Sequence, residues 1–332
     1  MEEIKSLLTD FELKSKQLRL EEGGVEVRNI SENLIWKLCL TTLLAESVRI
    51  RLCSNEFKVN HESDLKNALE RLPIHFYLPL IVSDEKDGFE RMLPQVKVSS
   101  QKSSLYHTGL VEQIVRNQLE KTIQKHRLIA NTSKNAIIDS KEECNMYVRL
   151  NHNKCQFSLD ASGAFLYKRT NEKHVGTAPI RETIASCLIR AAQITSISKL
   201  QNDQNVIWDP FAGSGTFVLE TIRNLHSGAI QQPFQKTFAF ETWRNHKSTS
   251  YETYKKSLIR FQQQQQTQPH LANIKIIGSD ISRKSISAAT FNLNQTMQNL
   301  KQAGLSNIER FCSENVELLN GDFDDIFNSL EL

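Results

Sequence analysis

The chain has 332 residues, 39% of them hydrophobic and 24% charged, with a formal net charge of +3. That composition excludes a collagen-like, low-complexity or strongly charged disordered chain, and the length suits two or three domains. So small a positive excess makes any nucleic-acid surface a local feature.

Residues 2–14 place Ile4, Leu7, Leu8 and Phe11 on one helical face. Gly23-Gly24 opens a short strand over 25–27, and a second helix is predicted over 31–44. Residues 48–53 read as a strand and 64–72 as a short helix. An apolar stretch over 73–82 and a loop over 83–94 follow. A strand over 95–98 leads through Lys102-Ser103-Ser104 to a helix over 109–124, whose buried stripe is Leu110, Val111, Ile114, Val115 and Leu119. Residues 146–150 and 156–160 alternate apolar and polar side chains about Asn151-His152-Asn153, as a hairpin does. A helix over 179–194 has Pro179 at its start. Beyond it come a strand over 206–208, a helix from Phe217, a polar insertion, a strand over 274–277, a helix over 284–299 and a strand over 316–319. The glutamine run 262–266 in the insertion reads as an expanded surface loop. Strand-helix alternation from 206 onward predicts an α/β fold with a doubly wound parallel sheet.

No apolar run approaches the roughly 18 residues of a membrane span. The six cysteines (Cys39, Cys53, Cys144, Cys155, Cys187, Cys312) lack CxxC or His/Cys ligand spacing, so reduced thiols and no metal are expected. The start, Met-Glu-Glu-Ile-Lys, is neither a secretory signal nor an Arg-rich transit peptide, which points to the cytoplasm, with the nucleus or nucleolus as alternatives.

The string Val206-Ile207-Trp208-Asp209-Pro210-Phe211-Ala212-Gly213-Ser214-Gly215-Thr216 carries the most chemistry. A strand ends on a carboxylate, a glycine turn follows, and a helix starts. Glycines there let a ligand approach the backbone and leave helix N–H groups pointing at it. A dinucleotide site would need a third glycine and an acid nearer the turn. Asp209 facing the turn suits S-adenosylmethionine instead, which has no phosphate and carries a cationic amino-acid end. Asp209, Phe211, Gly213 and Gly215 are therefore candidate cofactor residues, although a strand-end aspartate also serves as a plain turn carboxylate. Asp280 follows the strand over 274–277, where a carboxylate takes ribose hydroxyls. Asp322, in Gly-Asp-Phe-Asp-Asp, is placed to accept the adenine amine, with two further acids beside it as alternatives.

Residues 97–127 hold Lys97, Lys102, Arg116, Lys121, Lys125 and Arg127 against only Glu112 and Glu120. Such a cluster either contacts phosphates or is a solvated helix face. His107, His126 and His174 read as loop or surface histidines.

Several ordered strings carry a family resemblance: Gly23-Gly24-Val25, Ser158-Leu159-Asp160-Ala161-Ser162-Gly163, Leu166-Tyr167-Lys168-Arg169, Ala178-Pro179-Ile180-Arg181-Glu182-Thr183 and the glycine turn itself, with Phe240, Trp243 and Gly278-Ser279-Asp280. Over nearly its whole length the chain resembles the THUMP-domain RNA methyltransferases, most of all the N-terminal half of those that form N2-methylguanine in large-subunit ribosomal RNA. The resemblance implies a ferredoxin-like piece over 1–55, a THUMP domain over 56–165 and a Rossmann-type methyltransferase domain over 166–332. It implies S-adenosylmethionine as cofactor and RNA as partner, ribosomal RNA first and tRNA second. It places Thr183 near the methionine part of the cofactor and makes Lys168 and Arg169 further RNA contacts. The family's Asn-Pro-Pro-Tyr motif does not occur in the sequence, so no catalytic residue is assigned, the methyltransferase domain reads as incomplete at its C-terminus, and the chain alone is expected to be inactive. A non-catalytic RNA-binding subunit with a vestigial methyltransferase fold is the alternative; a DNA or protein amino-methyltransferase is a weaker one.

Overall fold

The computed structural model describes residues 2–7, 17–28, 30–78, 93–125, 144–169, 172–176, 179–194, 205–226, 231, 236–264 and 273–330. Two compact units emerge, interleaved along the chain. One comprises Met1–Glu46, Leu166–Lys236 and Thr249–Leu332, the other Ser47–Phe165 and Thr237–Ser248.

The first unit opens with α1 (Glu2–Leu7), and residues 8–14 of the expected helix lie outside the described residues. A hairpin of β1 (Leu18–Glu21) and β2 (Gly24–Val27) follows, closed at Gly23, whose φ of +77° glycine adopts without strain. α2 (Glu32–Thr41) buries Leu34, Trp36, Leu38 and Leu40. Just past its end the buried Glu3 carboxylate accepts from Thr42 Oγ1 (3.0 Å) and the Leu43 N–H (2.6 Å), giving these buried donors a partner.

In the second unit, β3 (Arg49–Arg51), β4 (Phe57–Lys58), α3 (Glu62–Glu70), β5 (Gln95–Gln101), α4 (Thr108–Lys125), β6 (Asn145–Asn151) and β7 (Lys154–Asp160) form one sheet and two helices. The strand order is β3-β7-β6-β5, with β4 also on β7. Only β5 and β6 run parallel. The β6–β7 hairpin turns on His152 and Asn153, both at positive φ (50° and 60°), which a two-residue turn between twisted strands demands. Met146, Val148, Leu150, Cys155, Phe157 and Leu159 are buried, alternating with less buried polar neighbours. α4 packs against β5 and α3 against α4, and α4 buries Val111, Ile114, Val115, Leu119 and Ile123.

The rest of the first unit holds α5 (Glu182–Ala191), β8 (Asn205–Asp209), α6 (Thr216–Leu225), α7 (Ser248–Gln264), β9 (Ile274–Asp280), α8 (Arg283–Gln302), α9 (Ser306–Asn315), β10 (Val316–Asn320) and α10 (Phe323–Ser329). The strands form a parallel sheet in the order β10-β9-β8. Val218, Leu219 and Ile222 of α6 meet Ile274 and Ile276 of β9, Leu293 of α8, and Ile308 and Phe311 of α9 in one core. α5 begins at Glu182 rather than at Pro179, because Arg181 is still extended. The polar insertion is mostly a helix: the first three glutamines of 262–266 continue α7, with Gln262 buried and Gln263 Nε2 donating to the Gly304 carbonyl at 2.7 Å. Glutamine is a good helix former, and this overrides the loop expected from composition. No helix among the described residues is long and apolar enough to cross a membrane, and no His/Cys/Asp/Glu group among them is arranged to hold a metal.

Candidate cofactor site

Parallel strands end together, so their last residues gather at one edge of the sheet, where open α/β sheets bind ligands. Asp209 closes β8 in register with Gly278, and Asp280 closes β9 in register with Asn320. Between them the chain turns through Gly213 (φ +53°) and Gly215 (φ +81°), both in the left-handed region. Ala212 N–H donates to the Ser279 carbonyl (2.8 Å), and Gly215 N–H closes the turn on the Ala212 carbonyl (2.7 Å). Gly213 N–H donates to Asp280 Oδ2 at 3.0 Å, while Ser282 N–H donates to Asp280 Oδ1 at 2.8 Å. Asp280 thus holds the glycine turn and keeps lone pairs for a ligand.

Asp209 is in a different condition. Its Oδ1 accepts from the Phe211 N–H at 3.1 Å, and its Oδ2 is buried without a hydrogen-bond partner among the described residues. Burial pushes its pKa above the ordinary carboxylate value, the Phe211 N–H pulls it back in part, and the neighbouring Asp280 charge pushes it up again. An orphaned carboxylate oxygen beside a second carboxylate is completed by a ligand that brings donors or positive charge. Room exists for one, since a Cβ built on Gly213 finds only the Phe211 carbonyl oxygen, at 4.0 Å.

The remaining candidates divide. Phe211 is 77% exposed and lies parallel to Phe323, with ring centroids 6.1 Å apart. Asp322 is exposed, and its Oδ1 accepts from the Asp324 N–H at 3.0 Å as the N-cap of α10. Thr183 is buried in the first turn of α5, on the helix that packs against α6. Three further residues escaped the sequence reading. Lys173 Nζ joins Glu182 Oε1 (2.5 Å) to Thr216 Oγ1 (3.2 Å), tying the start of α5 to the start of α6. Asn292 is fully buried; its Oδ1 accepts from the His174 N–H (2.9 Å), and its Nδ2 donates to the carbonyls of His174 (2.8 Å) and Ser214 (2.9 Å). Asn320 Nδ2 donates to the carbonyls of Asp280 and Ile281, fixing the chain just beyond β9. No motif spacing marks these three, because their partners stand elsewhere in the sequence: side chains for Lys173, backbone for Asn292 and Asn320.

Arg169 requires a correction. It is 3% exposed, with its guanidinium paired to Glu220 and donating to the Leu43 carbonyl. It is therefore a buried structural cation and not an RNA contact. Glu220 also accepts from Ser186 Oγ and lies 3.3 Å from Arg223 Nε. Lys168 beside it is exposed, as are Lys97, Lys102, Arg116, Lys121 and Lys125. Within the second unit, Lys97 and the α4 cations do not share a face. α4 covers one side of its sheet, and Arg116, Lys121 and Lys125 project from the helix away from it. Lys97 sits on β5 between the more buried Val96 and Val98, on the sheet's other face, with its Nζ 5.8 Å from the Tyr147 ring. His126 and Arg127 lie outside the described residues.

Residues 169–326 match the RMKL-like methyltransferase domain family. An uncharacterised protein of Dictyostelium discoideum is 27% identical over 98% of this chain and 68% of its own length. Ribosomal RNA large subunit methyltransferase K/L of Psychromonas ingrahamii is 25% identical over 92% of this chain. The chain spans only 37% of that relative's length. These matches support an RNA methyltransferase family. Among solved structures, a provisionally assigned methyltransferase complexed with SAH superposes with a TM-score of 0.65 at 21% identity, covering 97% of this chain and 72% of its own. That likeness bears on the fold, which is an α/β methyltransferase-like one.

Proposed function

We propose that the chain is the cofactor-binding and RNA-binding part of an S-adenosylmethionine-dependent RNA methyltransferase that forms N2-methylguanine in ribosomal RNA. The observation that carries this reading is the buried, unpartnered Asp209 Oδ2 beside a glycine turn held by Asp280, within the segment that matches a methyltransferase family. A donor-rich, positively charged ligand without phosphate fits a site whose strand ends present carboxylates. When bound, S-adenosylmethionine supplies an electrophilic methyl group on sulfur.

The chain's own residues bind and orient. Asp209 balances the cationic methionine end, and Gly213 and Gly215 admit it to the backbone. Thr183 borders that end from α5. Asp280 accepts the ribose hydroxyls, Asp322 accepts the adenine amine, and the exposed Phe211 ring covers the adenosine. Lys97, Lys102, Arg116, Lys121, Lys125 and Lys168 contact RNA phosphates. Residues 1–55, 56–165 and 166–332 correspond to a ferredoxin-like piece, a THUMP domain and a Rossmann-type methyltransferase domain.

Calorimetric titration of the full chain with S-adenosylhomocysteine tests the cofactor half of this reading. Saturable binding that Asp280→Ala abolishes is expected. A folded wild-type chain that binds neither S-adenosylmethionine nor S-adenosylhomocysteine would overturn it.

A further inference from the structure

In the second unit α4 packs against β5, on the side of the buried Val96, and the opposite face of the sheet is read from strand register. Lys97 on β5 pairs with Tyr147 on β6, Tyr147 with Ser158 on β7, and Ser158 with Arg51 on β3. Directly paired residues share a face, so these four side chains cross the sheet as one row. Arg49 lies two residues from Arg51 on the same strand and therefore on the same face. It reaches Tyr147 with its guanidinium carbon 3.6 Å from the ring centroid. Arg149, two residues from Tyr147, adds a fourth cation.

Cations outnumber carboxylates on this face: Glu56 accepts from Gln156 Nε2 (2.6 Å), across from Arg149, and pairs with Lys154 (3.4 Å) at the end of the sheet away from Arg49 and Lys97. Asp160, paired with Arg49 across the strands, is buried and its Oδ1 accepts from Ser162 N–H, Ser162 Oγ and Gly163 N–H. Arg49 and Lys97 are exposed, and neither forms a salt bridge among the described residues. Arg49 Nε instead donates to Ser47 Oγ at 3.2 Å. The guanidinium of an exposed arginine held over an aromatic ring is a surface on which an unpaired base stacks, and the flanking cations suit its phosphates. A duplex hides its base faces and would use only the charge.

We infer that this face is a single-stranded RNA platform, with one base stacked on the Arg49–Tyr147 pair and the neighbouring phosphates on Lys97 and Arg149. The inference rests on the RNA-methyltransferase reading and adds to it a place and a strandedness that the helix lysines do not supply.

Binding of a fluorescent oligouridine to the full chain, followed against salt, tests it. Lys97→Gln should weaken binding and lower the log–log salt slope by about 0.7, the share of one phosphate on a single strand. Arg49→Lys keeps the charge and loses the plane. It should leave the slope unchanged and weaken binding roughly 5-fold or more, as loss of a base stack does. Tyr147→Phe should bind as wild type, and Tyr147→Leu should not. Circular dichroism checks that each variant folds. Wild-type affinity in Arg49→Lys, or tighter binding of a blunt RNA duplex than of the single strand, would overturn the platform. If Lys121→Gln with Lys125→Gln weakens binding while the sheet variants do not, the platform falls and the RNA reading stands. If the wild-type chain binds no RNA at all, both fall.

Discussion

Two glycines of the first unit are indispensable for different reasons, and substitution separates them. At Gly213 an added Cβ meets nothing closer than 4.0 Å, so the cost of alanine is backbone strain alone. Left-handed φ costs a β-carbon residue roughly 1–2 kcal/mol, which in a unit of this size lowers Tm by about 2–8 °C. Asparagine tolerates that conformation, so Gly213→Asn should melt closer to wild type than Gly213→Ala. Both should weaken S-adenosylhomocysteine at least tenfold, about 1.4 kcal/mol, because either side chain projects into the space above the turn. At Gly278 an added Cβ would lie 2.7 Å from Val218 Cγ2, 2.9 Å from Leu318 Cδ2 and 3.2 Å from Ala212 Cβ, so α6 and β10 must both yield. Gly278→Ala should cost about 1–3 kcal/mol through overpacking and affect affinity only as far as it displaces Ala212. Differential scanning calorimetry beside calorimetric titration reads both quantities. A Gly213→Asn variant that binds S-adenosylhomocysteine as well as wild type would refute the assignment of this turn as the cofactor floor.

Glu220→Ala leaves Arg169 and Arg223 buried without their shared carboxylate. The loss should be about 3–5 kcal/mol, seen as a fall in Tm of roughly 6–20 °C; a change under about 1 kcal/mol would show that water replaces the carboxylate freely. For Asp209, burial raises the folded-state pKa above the unfolded value. Its contribution to stability is then fully present below the unfolded pKa and declines as pH rises through the folded one. Asp209→Asn should therefore gain stability relative to wild type at neutral pH and lose that advantage in acid, while binding S-adenosylmethionine more weakly. Melting curves across that range decide it, and a variant less stable than wild type at neutral pH would contradict the sign.

What was legible in the sequence was whatever a local pattern encodes. The β6–β7 hairpin followed from two alternating runs around a turn, and the strand–turn–helix at Asp209 from its glycines. Boundaries slipped by a few residues, since β9 runs on to Asp280 beyond its apolar stretch. α7, α9 and α10 are polar enough to have been passed over, and each is held by one narrow apolar stripe such as Ile308, Phe311 and Cys312. Arg169 looked like a surface cation because its partner Glu220 lies 51 residues further on. The basic stretch was read as one surface, although a strand alternates its faces every residue and a helix does not. Asn292 left no trace at all, being joined to His174 across 118 residues.

The chain passes between its two contact units at 46/47, 165/166, 236/237 and 248/249. During synthesis from the N-terminus, the strands of the second unit are all made by residue 160, yet two hydrogen bonds within that unit are completed much later. The Phe240 N–H donates to the Ala161 carbonyl (3.1 Å), and the Asn245 N–H to the Phe76 carbonyl (3.0 Å). Residues 1–46 wait in the same way, because the Leu43 carbonyl is met by Arg169 and the Leu40 carbonyl by the Gln231 N–H at 2.8 Å. Such delayed, non-local closures slow folding. A nascent chain stalled before residue 231 thus holds two unfinished units, and neither can be released as one continuous fragment.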